Sequence, residues 1–372
     1  MDINFKVIKK STRSRARLTE FDTAHGKIET PVFMPVGTQA TVKTLDSTDL
    51  ERIGFKIILG NTYHLYLQPG AETIDKLGGL HRFMNWHHSM LTDSGGFQVL
   101  SLREIRKIKE DGVEFRSFID GSKHYFTPER VVDIEEKIGA DIIIPLDICS
   151  AYPTDFKDTA KELDITLKWA ERSLKAKKRD DQIMFGVIQG GFYKELRKKA
   201  VESVLSMNFP GVTLGGLSIG EEKALTKEFV DYTVSLLPEN KPRYLMGVGD
   251  PLSILEYVRL GVDMFDCVLP TRVARNRTLF TRNGPIKITK SIYKEDFSPI
   301  EEDCECHTCK YYTKAYLNHL FKAKEYLAPR LATIHNLFFM HRLIEDIRNS
   351  IKEDRFEEFY TEFKKRYSGG TS

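Results

Sequence analysis

The chain has 372 residues, 41% hydrophobic and 29% charged, with a formal net charge of +3. That balance fits one large α/β domain or two smaller ones, and it excludes a chain basic throughout, so any nucleic-acid site must come from local clustering. No apolar run approaches the roughly 20 residues of a membrane helix, residues 1–18 hold no apolar signal core, and five clustered cysteines do not make a secreted disulfide framework; a cytoplasmic protein with no membrane partner is expected.

In chain order, residues 1–30 read as an antiparallel cap, with NFKVIKK and RARLTEF as short alternating segments followed by AHGKIETP. Eight apolar runs follow, each ending at small or polar residues: 31–38, 56–64, 89–98, 141–150, 183–191, 212–220, 243–250 and 263–270. Near-continuous apolar runs are the pattern of strands buried on both faces of a parallel sheet. Between them, TPERVVDIEEKIG opens on Thr127 as N-cap and Pro128 as first helical residue. Leu163, Leu167, Ala170 and Leu174 recur at helical spacing over 159–178, and SILEYVRLG ends on Gly261. Arg106, Lys107 and Lys109 beside Glu104 and Glu110 read as a solvated helix. Strand–helix alternation over about 250 residues predicts an α/β fold, a (β/α)8 TIM barrel; the alternative, a doubly wound open sheet, lacks a glycine-rich fingerprint after the first strand. Residues 270–335 read as an insertion after the eighth strand, with helical patterning returning over 316–327 and 335–353, and KRYSGGTS as a frayed tail of one domain spanning 1–372.

The stretch from Asp263 to Lys294 organises the rest. Asp266 lies inside an apolar strand, where a carboxylate is costly unless paired or used. Between 270 and 294 stand Arg272, Arg275, Arg277, Arg282, Lys287, Lys290 and Lys294, with no acid among them. Such a run suits a phosphate-bearing partner. Further on, Cys304, Cys306 and Cys309 have metal-ligand spacing in a polar loop. His307 is a poor fourth ligand, being on the same short loop; His319 and His335, the latter opening a new helix, are better. Four protein ligands imply a closed, structural zinc site.

In a barrel the chemistry sits at the C-terminal strand ends. Those ends supply Asp93, Ser94, Gly95, Gly96, Phe97 and Gln98; Asp147 and Cys149; Gln189 with Gly190; Gly215 and Gly216; Met246 and Gly247; and Asp266. Carboxylates accept from a ring N–H and an exocyclic amine, an amide and a glycine N–H donate to a carbonyl, and Phe97 with Met246 can sandwich a base. Taken singly, Asp93 and Asp147 are as readily turn or helix caps, and Phe97 and Met246 core residues.

The ordered set DSGGFQ (93–98), VIQGG (187–191), GGLSIGE (215–221), YLMGVG (244–249), DMFDCVLPTR (263–272) and the C-x-C-x-x-C cluster with a distant histidine resembles bacterial-type tRNA-guanine transglycosylase over nearly the whole chain. The resemblance implies exchange of the wobble-position guanine of tRNA with a G-U-N anticodon for a 7-deazaguanine base, in queuosine biosynthesis. Asp266 would attack the ribose and Asp93 act as general acid/base. Asp147, Gln189 and the Gly216 N–H would read the base edge, with Ser94, Gly95, Gly96, Cys149 and the Leu217 carbonyl around it and Phe97 and Met246 stacked on it. Gly247, Val248, Gly249, Asp250, Pro251, Leu252 and Ser253 would hold the RNA backbone, and Thr271, Arg272, Val273, Ala274 and Arg275 the nucleotides beside the target. Cys304, Cys306, Cys309 and His335 would ligate one zinc ion per subunit; Tyr312, Tyr316 and His319 match a homodimer interface. Two departures stand out. Ile148 replaces a glutamate usual in bacterial members, and an apolar residue there is typical of the queuine-using eukaryotic ones, whereas Cys149 and Ile219 resemble the bacterial pocket. Arg277 stands where many members have glycine. The resemblance favours 7-aminomethyl-7-deazaguanine as incoming base, with queuine the alternative. A barrel glycoside hydrolase needs neither the zinc cluster nor the basic run, and a non-catalytic RNA-binding subunit needs neither Asp266 nor Asp93.

Overall fold

The computed structural model describes residues 3–101 and 106–369. Eight parallel strands close into a barrel: Val32–Gly37, Ile57–Asn61, Ser89–Asp93, Ile142–Ile143, Ile183–Ile188, Gly211–Leu214, Arg243–Leu245 and Met264–Cys267. They coincide with the eight apolar runs, and the last closes against the first with Asp266 opposite Met34.

Strand periodicity decides what faces the lumen. Val32, Met34 and Val36, Leu91, Val187 and Met264 belong to an inner cluster, while Phe33, Met90, Ile188 and Phe265 join the outer layer against the helices. The next inward positions beyond Leu91, Val187 and Met264 are Asp93, Gln189 and Asp266. Three apolar strands thus each end by placing a polar side chain at the top of a packed lumen.

The bottom is closed by the N-terminal sheet, Lys6–Lys10, Arg17–Thr23 and Gly26–Thr30. Its Phe21 and Ile28 plug the inner cluster, with the Phe21 ring 6.2 Å from Phe185. Buried Arg17 donates to both oxygens of buried Asp263 at 2.9 and 2.6 Å. The His25 and His81 rings stack 3.7 Å apart and each lies within hydrogen-bond reach of buried Asp141. A metal would have to lie in both ring planes at once, which nearly parallel stacked rings do not allow, so the trio acts as a latch between cap and barrel.

Thr127 caps the helix Pro128–Ile138 through the Arg130 N–H, and Asp155 caps Phe156–Ala176 through the Asp158 N–H. Four expectations are revised. Arg106–Ile108 is a strand, not a helix; it pairs with Val113–Arg116, which pairs with Lys123–Phe126, and Val113, Phe115 and Phe126 bury one face of that sheet. Residues 102–105 lie outside the description. The helical segment at 316 is Lys314–Ala323, ended by Lys324 in the left-handed conformation. His335 does not open a helix: it lies within Leu327–Lys352, which starts earlier because Pro329 falls in its first turn. Residues Lys365 to Gly369 belong to a helix, Phe356–Gly369, that buries Phe356, Tyr360, Phe363 and Tyr367. The segment after the eighth strand is ordered as well, with a helix Leu269–Arg275 and a two-stranded ribbon, Thr278–Leu279 with Ile286–Lys287.

Candidate active site and metal centre

At the upper rim of the barrel, Asp266 is half-buried, and its Oδ1 accepts the Tyr244 hydroxyl at 2.6 Å and the Gly247 N–H at 2.9 Å. Burial raises its pKa, and these two donors oppose the rise. Both bond one oxygen, which leaves the other for chemistry.

Asp93, 5% exposed, accepts from Asn61 Nδ2 (2.5 Å), the Thr62 N–H (3.1 Å) and Gln98 Nε2 (2.8 Å). Its pKa is nevertheless pushed up to about 6, chiefly by burial and further by the charge of Asp266. A carboxyl that titrates near neutrality and senses a second carboxylate across the lumen is suited to moving a proton.

Asp147 completes the rim. Ser94 Oγ donates to one oxygen at 2.9 Å and Gln189 Nε2 to the other at 2.6 Å, and burial raises its pKa. The Gln189 Oε1 is buried and, among the described residues, has no hydrogen-bond partner. Two glycines make this wall possible. A Cβ on Gly96 would lie 2.7 Å from the Asp147 carbonyl oxygen, and one on Gly216, at φ +66°, would lie 2.4 Å from Gln189 Oε1. Cys149 and Leu217 are buried beside the wall, Met246 is half-buried and Phe97 is 54% exposed.

Beside Asp266 opens a cleft of about 310 Å³ lined by Gly247 to Asp250, Ser253, Val268 and Arg272 among others. Helix Pro251–Arg259, capped by Asp250 through the Ser253 N–H, starts at this cleft, and so does helix Leu269–Arg275. Val248, Pro251, Thr271 and Ala274 are buried, and Leu252 and Val273 pack against the core, so these offer backbone rather than side chains. Arg275 is half-buried, with one guanidinium nitrogen buried and, among the described residues, unpartnered. Arg272, Arg277, Lys287, Lys290 and Lys294 are exposed and, among the described residues, enter no ion pair; Arg282 faces Asp303 at 3.6 Å. Arg277 holds φ +72°, a conformation glycine adopts without strain.

The four metal candidates converge. Cys304, Cys306 and Cys309 Sγ lie 3.8, 3.6 and 3.4 Å from His335 Nδ1, all four residues buried. Ligands at zinc–sulfur and zinc–nitrogen distances around a tetrahedral ion are about 3.6 Å apart, so the cluster is sized for zinc at its centre. His335 Nε2 lies 2.7 Å from the Phe280 carbonyl and donates to it, which leaves Nδ1 unprotonated for the metal. His319 is exposed and outside the cluster.

Asn61 and Tyr244, which hold the two carboxylates, were not singled out as site residues in the sequence; their lumen-facing positions at strand ends were the available signal. Nor was Glu221, whose carboxylate accepts the Ser218 N–H, the Ile219 N–H at 2.9 Å and the Thr226 hydroxyl at 2.6 Å. Among the described residues no helix is long and apolar enough to cross a membrane.

A family model described as queuine tRNA-ribosyltransferase matches residues 11–369. A queuine tRNA-ribosyltransferase of Caldanaerobacter subterraneus subsp. tengcongensis is 57% identical over 99% of this chain and 98% of its own. Those of Halothermothrix orenii and Desulforamulus reducens are 53% and 50% identical, covering 99% and 100% of this chain and 98% and 100% of theirs. With its closed barrel, paired rim carboxylates and cysteine–histidine metal centre, the chain belongs to the queuine tRNA-ribosyltransferase family.

Proposed function

We propose that the protein is a tRNA-guanine transglycosylase, a pentosyltransferase that replaces guanine at the wobble position of tRNA with a G-U-N anticodon by a 7-deazaguanine base. The observation that carries this reading is the pair of rim carboxylates: Asp266, whose Oδ1 takes two donors while its other oxygen is left for attack, and Asp93, pushed up to about 6 by burial. Asp266 attacks the ribose C1′; the C1′–N9 bond breaks, its electron pair goes to guanine, and Asp93 delivers the proton. The resulting ester removes the Asp266 charge that had raised the Asp93 pKa. With that charge gone the Asp93 pKa falls, so Asp93 stays ionised after giving up its proton and is ready to take the N9 proton of the incoming base as that base displaces Asp266 from C1′.

Asp147, Gln189 and the Gly216 N–H read the base edge, with Phe97 and Met246 on its faces. The Gly247–Ser253 turn, the Thr271–Arg275 helix and the exposed basic run hold the RNA. The chain works as one domain in the cytoplasm and as a homodimer; the Tyr312 and Tyr316 rings, stacked at 5.4 Å, and exposed His319 form the contact face.

For the incoming base, 7-aminomethyl-7-deazaguanine is favoured. Glu221 takes the Ser218 N–H, so the Leu217 carbonyl of that trans peptide points the opposite way, as an acceptor for an ammonium group. Ile148 is 2% exposed within the outer core, where it neither recognises nor repels a substituent. Incubating the enzyme and unmodified tRNA with labelled guanine, 7-aminomethyl-7-deazaguanine or queuine tests this. Incorporation of the first two is expected; queuine incorporated at least as well as the aminomethyl base refutes the base assignment, and no incorporation of any refutes the function.

The proton role has a pH signature. Below its pKa Asp93 is neutral and cannot take the N9 proton; that pKa is about 6 beside the Asp266 charge and lower once the ester has removed it, so kcat/KM for the incoming base is expected to fall in acid, with its inflection below about 6. The Asp93→Asn enzyme should lose most activity and that inflection with it; an unchanged profile would remove Asp93 from the proton path.

A further inference from the structure

Arg197 is fully buried on the helix Lys194–Ser206, yet among the described residues it enters no ion pair. Its partners are all main-chain carbonyls. Nε donates to Gly191 at 2.9 Å, Nη1 to Ile188 at 3.0 Å, and Nη2 to Gly215 at 2.8 Å and Gly216 at 3.4 Å. One guanidinium thus clamps the ends of the fifth and sixth barrel strands behind the rim that carries Gln189 and Gly216.

A buried cation without an ion-pair partner is costly even with the Glu221 carboxylate nearby, and a neutral hydrogen-bonding group could cross-link two loops without that cost. Burial lowers the Arg197 pKa only to about 10, so the charge persists at neutral pH. The direction of one peptide shows where the charge is felt. The Gly215 carbonyl points at Arg197, and the Gly215–Gly216 bond is trans, so the Gly216 N–H points away from the cation. On that side lies the Cys149 sulfur, only a weak acceptor. A cation bonded to the carbonyl end of a peptide polarises its N–H end and strengthens it as a donor.

We propose that Arg197 is a positioning residue that aims and polarises the Gly216 N–H at the carbonyl oxygen of the bound purine. This rests on the base-exchange reading above and adds to it. Electron density moves into the base as C1′–N9 breaks, so a charge-backed donor at the six-oxygen stabilises the departing base more than the bound nucleoside.

The test compares guanine with 2-aminopurine, which lacks the six-oxygen, as competitors of labelled-base exchange in wild-type, Arg197→Met and Arg197→Lys enzymes. The expected result is that Arg197→Met weakens guanine by about tenfold or more while 2-aminopurine changes less than about twofold. Arg197→Lys, which keeps the charge but cannot span both strands, falls between them. Equal weakening of both competitors, or no weakening of guanine, overturns the proposal. Should Arg197→Met fail to fold, Arg197→Lys decides it alone: a loss selective for guanine supports the proposal, and a parallel loss or none overturns it. Wild-type enzyme that exchanges no labelled guanine overturns the functional reading instead, which the Arg197 comparison does not touch.

Discussion

Replacing Asp266 with asparagine is expected to abolish base exchange, with a loss of at least about 10⁴-fold, while thermal stability and tRNA affinity stay near wild type. The geometry explains why both halves of that result should hold. An asparagine Oδ1 can still accept from the Tyr244 hydroxyl and the Gly247 N–H, so the loop at 247 keeps its anchor. What disappears is the second oxygen as a nucleophile. Burial raises the Asp266 pKa, so the folded state pays for its ionisation above the usual carboxylate range, and the neutral amide removes that cost. Asp266→Asn should therefore be at least as stable as wild type at pH 7. Measured exchange above about 1% of wild type, once traces of deamidated protein are excluded, would put the nucleophile elsewhere.

Removing the metal centre should have the other large effect. Cys306→Ala is expected to lose zinc, seen by elemental analysis, and to lower stability by on the order of 5 kcal/mol, part of what a structural zinc site contributes. Its functional reach is set by the residue after His335. Asn336 donates to the Pro270 and Thr278 carbonyls at 3.0 and 3.1 Å and accepts the Phe280 N–H at 3.0 Å. The helix that carries the zinc ligand therefore also pins the segment just beyond the nucleophile strand, where the basic run begins. Loss of zinc should raise KM for tRNA more than tenfold while guanine binding, which depends on Asp147 and Gln189 across the barrel, changes little. A variant with full zinc content, or one in which guanine and tRNA binding weaken together, contradicts this division.

The sequence made the barrel legible because strands buried on both faces read as unbroken apolar runs, and the ends of those runs then supplied Asp93, Gln189 and Asp266. The cysteine spacing was equally legible. It left the fourth ligand open between two histidines, because His335 reaches the loop only through the packing of a long helix whose start lay hidden behind Pro329. The sheet over 106–126 is hidden because Arg106, Lys107 and Lys109 beside Glu104 and Glu110 read as a solvated helix, although Val113 and Phe115 alternate as a half-buried strand should and Asp120-Gly121 is a turn signal. The terminal helix was masked by its Ser-Gly-Gly ending, although Phe356, Tyr360, Phe363 and Tyr367 already stood at helical spacing. Asn61, Tyr244 and Arg197 were not legible as site residues, because what they do depends on which carboxylate or carbonyl each side chain reaches, and that is fixed only by closure of the barrel.

The most direct test is mass spectrometry of the enzyme mixed with an unmodified anticodon stem-loop RNA and quenched in acid before a second base is added. The expected species has the mass of protein plus RNA minus one guanine, and digestion places the ribose link on the peptide that contains Asp266. An adduct on any other residue, or active enzyme that exchanges bases yet never carries the RNA, would contradict the account.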